Sequence, residues 1–169
     1  MKVLIVSDSH GLTNELTIIK DRHSSDVDAL IHCGDSELEH TNEEISEFIT
    51  VRGNCDFDSF YDDDIAQEIA NERIFVTHGH LYNVKMTLMN LYYQAKEINA
   101  RIVCYGHSHI ASAEFIDGIL FINPGSIRLP RMSKEKTYVI LEMKDEVAFV
   151  RFYNLDGFEQ TNLSKKIAF

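Results

Sequence analysis

The sequence predicts an α/β fold with mixed sheets. Three observations predict it. Short apolar runs rich in β-branched residues recur along the 169 residues. Longer polar stretches with helical spacing separate several of them. Toward the C-terminus, tight turn signals join the runs instead.

The first run, "KVLIVS", reads as a buried strand. Its apolar stretch is only Val3 to Val6 and a charged motif comes directly after it, so it is a strand and not a signal peptide. "LTNELTIIKDRH" is next, with Leu16, Ile18 and Ile19 at helical spacing and Thr13 or Asn14 as N-cap. "DALIHC", "FITVR", "RIFVT", "RIVCY" and "ILFIN" read as further strands. Between "RIFVT" and "RIVCY", "VKMTLMNLYYQAKEIN" puts Leu88, Leu91, Tyr92 and Ala95 on one helical face. "SAEFIDGILFIN" is a hairpin turning at Asp117-Gly118, and "TYVILEMKDEVAFVRFY" is another, turning at Lys144-Asp145.

The bulk numbers fit one domain spanning residues 1–169, with 44% apolar and 25% charged residues. No apolar run approaches the ~20 residues of a membrane span. Cys33, Cys55 and Cys104 are scattered and odd in number, which fits a reducing compartment. A cytoplasmic protein is expected. The net charge of −11 repels nucleic-acid backbones and anionic membranes, so neither a long nucleic acid nor a membrane is an expected partner.

The residues immediately after each run carry the chemistry. In chain order they are Asp8-Ser9-His10, Gly34-Asp35, Gly53-Asn54-Cys55-Asp56, His78-Gly79-His80, Gly106-His107-Ser108-His109 and Pro124-Gly125-Ser126. Ligands bind at the carboxyl ends of strands in α/β sheets, and strands sharing a direction would bring these loops to one rim. Singly, each group has a plain structural use. An Asp after a strand caps a turn, and a lone His is a hydrogen-bonding residue. Cys33 and Cys104 read as small buried hydrophobes, His32 as structural, and His23 and His40 as surface residues. Together, Asp8, His10, Asp35, Asn54, His78, His107 and His109 put seven oxygen and nitrogen donors on five loops. Imidazole and carboxylate suit divalent transition metals, and seven donors exceed the needs of one tetrahedral ion.

"DSH", "GD", "GNCD", "THGH" and "GHSH", in this order and extended by "NPGS", resemble the calcineurin-like metallophosphoesterase superfamily. The compact bacterial and archaeal phosphodiesterase subgroup is the most similar. The resemblance implies a four-layer αββα sandwich with two mixed β-sheets and a dinuclear site at one edge. Asp8, His10, Asp35 and His109 match the ligands of one ion. Asp35, Asn54, His78 and His107 match those of the other, with Asp35 bridging. Two divalent ions are implied, Mn²⁺ first, with Ni, Fe, Zn, Co and Mg as alternatives. The implied reaction is phosphoester hydrolysis by a hydroxide that the ion pair activates, with the Asn54 amide on the phosphate oxygens.

One position departs from much of the superfamily. A histidine that helps protonate the leaving group often comes after "GN", and here it is Cys55. The compact phosphodiesterases also carry "GNCD". Cys55 and His80 are the remaining catalytic candidates, and a supporting hydrogen bond is the alternative role for His80. Arg131 is a candidate phosphate contact, with a surface or subunit role as its alternative. Few cations lie near the motifs, which favours a small phosphodiester over a dianionic monoester as substrate. The retromer scaffold subunit also resembles this fold, so a non-catalytic metal-binding scaffold is the alternative function. A homodimer is a further expectation from the compact relatives.

Overall fold

The computed structural model describes residues 1–169. β1 (Lys2–Val6), α1 (Asn14–His23) and β2 (Ala29–His32) form the first crossover unit. β1 pairs parallel with β2, and β2 pairs parallel with β3 (Ile49–Thr50). On the other side of β1, the antiparallel strands β9 (Thr137–Lys144), β10 (Val147–Asn154) and β11 (Lys165–Ala168) complete a six-stranded mixed sheet. The second sheet has five strands. β4 (Asp64–Ile69) pairs antiparallel with β5 (Glu72–Thr77), which is parallel to β6 (Ile102–Cys104). β6 is parallel to β8 (Ile119–Asn123), and β7 (Ser112–Ile116) closes the edge antiparallel to β8. α2 (Met89–Glu97) lies in the crossover from β5 to β6. No helix is long and apolar enough to cross a membrane.

The alternation within the strands builds four layers. Val3 and Ile5 face the second sheet and join Ile31, Ile74, Val76, Ile102, Leu120 and Ile122 in the core between the sheets. Leu4 and Val6 face the other way, onto Leu16 and Ile19 of α1. Phe75, Val103 and Phe121 of the second sheet pack on Leu91 and Ala95 of α2. The order is therefore helix, sheet, sheet, helix. Strands covered on both faces must be apolar at every position, which is why these runs do not alternate in sequence. Each fully buried aliphatic side chain contributes roughly 1.5–3 kcal/mol.

Several sequence expectations shift. "FITVR" yields a strand of only Ile49–Thr50. α2 begins at Met89, after turns that occupy the first part of the periodic stretch. Ile18 is exposed, because Leu16, Ile19 and Lys20 form the buried side of α1. The N-cap of α1 is Thr13, without a side-chain hydrogen bond. The second hairpin turns at Asp145-Glu146, one residue later than expected, with both residues at positive φ. The first turns at Asp117-Gly118, also at positive φ, as a two-residue turn that matches strand twist requires. β4 and β11 had no sequence signal. Both are edge strands with mostly uncovered faces, so no apolar pattern marks them.

Candidate metal centre

β1, β2 and β3 run parallel in one sheet, and β5, β6 and β8 run parallel in the other. Their motif loops meet at one rim. Cross-sheet contacts define the meeting. The His107 amide donates to Asp8 Oδ2 at 3.2 Å, and His78 Nδ1 donates to the Cys33 carbonyl at 2.8 Å. Asp8, His10 and Asp35 come from the first sheet, whereas His78, His107 and His109 come from the second.

Asp8, His10, Asp35 and His109 are buried and hold their donor atoms within 4.8 Å of one another. Asp8 Oδ1 lies 3.0 Å from His109 Nε2, and Asp35 Oδ2 lies 3.3 Å from His78 Nε2. The His78 and His107 ring centroids are 5.1 Å apart. Asn54 is the exception among the seven. It is exposed and its amide donates to Cys55 Sγ at 3.2 Å.

Three of these imidazoles have a fixed orientation. The Nδ1 of His78 bonds to the Cys33 carbonyl, that of His109 to the Leu129 carbonyl at 2.8 Å, and that of His10 to Glu37 Oε1 at 2.7 Å. An acceptor on Nδ1 places the proton there and leaves Nε2 with a free lone pair. Nε2 of His10 and of His78 and Oδ1 of Asp8 are buried with no hydrogen-bond partner. Buried polar atoms without partners are costly, and several lone pairs converging on one place suit a cation. The residues present thus fit divalent metal ions.

The backbone is bent to deliver them. Asp8, His10, Asp35, His107 and His109 all have positive φ between 45° and 65°. That region is costly for residues with a Cβ, and it persists only where surrounding contacts enforce it. Asp56 supplies much of the enforcement. Its Oδ2 accepts from the Asp35 and Gly53 amides, at 2.8 and 2.7 Å, and its Oδ1 from the Glu37 amide and the Ser36 hydroxyl. Asn123 ties the other side, donating to the Gly106 carbonyl and to Ser108 Oγ. The Ser126 hydroxyl donates to the Asp8 carbonyl at 2.8 Å. Gly106 is required by space, because a Cβ there would stand 2.1 Å from Ser7 Oγ and 2.7 Å from Asp8 Oδ2.

The electrostatics result from this packing. Burial alone would raise the Asp35 carboxyl, but His78 and the Cys55 amide outweigh it and hold Asp35 well below the usual carboxylate range. Burial, with His78 beside it, pushes His107 down to about 4. Burial and then the Asp35 charge push the Cys55 thiol up to about 11. His80 is also lowered, by burial and by His78, with its Nδ1 buried and unpartnered and its ring 5.3 Å from that of His78.

The remaining candidates are distributed around this rim. Arg131 is exposed and lines a groove that begins at Ser108. Arg128 bonds the His10 carbonyl, and Arg52 pairs with Asp63 at 2.6 Å. His32 is fully buried against Ser9 Oγ at 2.9 Å. His23 and His40 are not free surface residues. His23 meets Tyr138 Oη at 2.9 Å, while His40 meets Asp58 at 2.8 Å and stacks on Phe60. Glu37, Asp56 and Asn123 do not stand out in the sequence as site residues. Their motifs, "GDSE", "GNCD" and "NPGS", are visible there, but which atoms each one ties is not.

A family model described as the calcineurin-like phosphoesterase superfamily domain matches residues 1–146. The chain belongs to the calcineurin-like phosphoesterase superfamily. A Bacillus subtilis protein named "Probable metallophosphoesterase YsnB" is 48% identical over 167 residues, covering 99% of each chain. "Phosphodiesterase MJ0936" of Methanocaldococcus jannaschii is 32% identical over 148 residues, 74% of this phosphoesterase and 83% of that protein. A Streptococcus pneumoniae crystal structure, described as a predicted phosphoesterase, superposes with a TM-score of 0.96 at 36% identity. It covers 99% of this chain and 97% of that one. The family implies divalent metal ions, and the Asp8–His10–Asp35–His109 cluster of this phosphoesterase is a place that can hold one.

Proposed function

We infer that the protein is a metal-dependent phosphodiesterase with a dinuclear centre. Asp8, His10, Asp35 and His109 would hold one ion, and Asp35, Asn54, His78 and His107 the other. The observation that carries this reading is the set of imidazoles tied at Nδ1, with the His10 and His78 Nε2 atoms buried and unpartnered at the rim where Asp8 and Asp35 meet. Two divalent ions held there supply Lewis acidity, which acidifies water and neutralises charge on the phosphate. Mn²⁺ is the first metal to test, with Ni, Fe, Zn, Co and Mg as alternatives, since imidazole nitrogens and oxygens with no thiolate among them accept any of these ions.

The chain's own groups do the positioning. Asp35 offers one oxygen toward His78 and has the other bonded to the Cys55 amide at 2.7 Å, so its carboxylate plane is fixed. Asn54 stands exposed on the same loop, where its amide can turn from Cys55 to a phosphate oxygen. Cys55 stays a protonated thiol and is a poor proton donor to a leaving group. His80 is the remaining imidazole at the rim, within 6.1 Å of the His107 ring.

Diester preference rests on charge. A monoester dianion needs cations beyond the metals, and Arg52 is paired with Asp63 while Arg128 is spent on the His10 carbonyl, which leaves only Arg131 and Lys85, both lining the groove beside the centre. The Methanocaldococcus relative named a phosphodiesterase supports the same substrate class. A scaffold reading is less well supported, because every candidate ligand position holds a competent residue type. We place the protein in the cytoplasm, as three free cysteines suit a reducing compartment. The test is metal analysis of the purified protein, then a paired assay with a bis-aryl phosphate and the matching mono-aryl phosphate at equal pH and Mn²⁺. Hydrolysis should need the metal, and kcat/KM should be higher for the diester. Asp35→Ala should lose the two-ion stoichiometry and about a thousandfold in rate, ~4 kcal/mol of barrier. Full activity in that variant would sink the dinuclear assignment.

A further inference from the structure

A groove of about 560 Å³ opens at Ser108, the residue between His107 and His109, and leads away from the candidate metal centre. Val84 and Tyr105 reach it from the core, and Ile110 and Leu88 add apolar surface. Two cations line it as well, Lys85 and Arg131, and both side chains are exposed. Arg131 sits beside one histidine of the motif, its amide donating to the His109 carbonyl at 3.0 Å, and Lys85 lines the same groove as Ser108. Further along, Glu114 lines both this groove and an adjoining cavity of about 270 Å³ that ends at Asp117. The groove thus changes sign along its length, cationic near the histidines and anionic at the far end.

Two cations border this one groove in a chain with a net charge of −11. Neither Lys85 nor Arg131 has a carboxylate partner within ion-pair distance, unlike Arg52, Arg101 and Arg151. Their charge is therefore available to a ligand. We propose that the groove receives the second arm of the phosphodiester, and that Lys85 and Arg131 select an arm carrying a further anionic group on an apolar or aromatic body. The guanidinium of Arg131 can take a phosphate or carboxylate in two parallel hydrogen bonds, and Lys85 adds a point charge. Tyr105, Ile110 and Leu88 cover the body of the arm. Glu114 limits reach, since an anion carried further down the groove meets a like charge. This inference rests on the phosphodiesterase reading of the adjoining centre.

The experiment compares two esters on the Mn²⁺-loaded full chain. One is thymidine 5′-(4-nitrophenyl phosphate), and the other is the same ester carrying a 3′-phosphate. The added phosphate should lower KM about five- to tenfold with little change in kcat. In the double variant Lys85→Ala, Arg131→Ala, the ratio of the two kcat/KM values should fall to near one, whatever the absolute rates. In parallel, thymidine 3′,5′-bisphosphate should bind the wild-type protein more tightly than thymidine 5′-monophosphate, and the double variant should lose that difference. Equal kcat/KM for both esters in the wild type overturns the anionic arm. A preference that survives in the double variant overturns the assignment to Lys85 and Arg131. If neither ester is hydrolysed by metal-loaded protein, the phosphodiesterase reading fails, and the binding comparison alone still decides the groove.

Discussion

His78 Nδ1 and the carbonyl oxygen of Cys33, 2.8 Å apart, join the end of β5 in one sheet to the end of β2 in the other. One ring therefore has two separable jobs: its Nδ1 side closes the rim, and its Nε2 side faces Asp35. Asparagine can reproduce the Nδ1 donor and has nothing at Nε2. His78→Asn is expected to keep the unfolding free energy of the metal-free protein within about 1 kcal/mol of wild type, the worth of an ordinary hydrogen bond. The same variant should lose tight metal binding. Urea unfolding and metal titration measure the two effects. Equal metal affinity in His78→Asn and wild type would remove Nε2 from the ligand set.

Asp56 accepts from three amides and one hydroxyl on two motif loops. Asp56→Ala is expected to cost about 2–4 kcal/mol of stability, since two part-buried amides and one exposed amide lose their side-chain acceptor. Metal affinity should fall about 10–100-fold, the usual effect of losing a residue that orients ligands. Asp56→Asn should fall between the two, because one of its two acceptor atoms remains. A metal affinity unchanged in Asp56→Ala would mean that the positive-φ turns hold without it.

Cys55 bonds through its amide to Asp35, and its thiol meets the Asn54 amide and faces the Asp35 carboxylate. Cys55→Ser keeps both arrangements. The expected cost is under about tenfold in kcat, ~1.4 kcal/mol. Cys55→His should help most with poor leaving groups, where protonation of the departing oxygen matters. A collapse of Cys55→Ser to the metal-free rate, with metal content intact, would assign the thiol a direct role.

His32 gives a pH dependence whose sign is fixed. Burial lowers its pKa to about 4, below its ordinary value of 6.5, so the unfolded chain binds a proton that the folded one refuses. Its contribution to stability is complete above pH 6.5 and is lost as pH falls toward 4. Between pH 6.5 and 5, chelator-treated wild type should lose about 1–2 kcal/mol more than His32→Asn. Denaturant unfolding at the two pH values gives the difference. Parallel losses in both proteins would show that other groups carry the acid sensitivity.

The sequence and the structure agree most closely where burial is complete. Val3 to Val6, Ile102 to Cys104 and Ile119 to Asn123 are covered on both faces, so unbroken apolar runs announce them. Residues after these runs were legible as candidates because parallel strands put their carboxyl ends, and the loops that leave them, on one side. Asp64–Ile69 and Lys165–Ala168 were not legible. Pairing along one edge defines them, and pairing leaves no composition signal. The same holds for Asp56 and Asn123, whose importance lies in partners up to 21 residues away, and for Glu37, whose partner His10 is 27 residues away. Positive φ at Asp8 and Asp35 was equally hidden, since only the assembled rim forces it.

The division of the candidate ligands between the two sheets has a kinetic consequence. If ions bridge Asp8, His10 and Asp35 to His78, His107 and His109, the sheets cannot part at this rim while coordination lasts. Metal would then act as a rivet across the inter-sheet core, raising stability by mass action as free ion exceeds its dissociation constant. Opening of the sandwich and escape of the ions would become one event. The half-life of bound metal in the presence of excess chelator would then set an upper limit on how often the molecule opens.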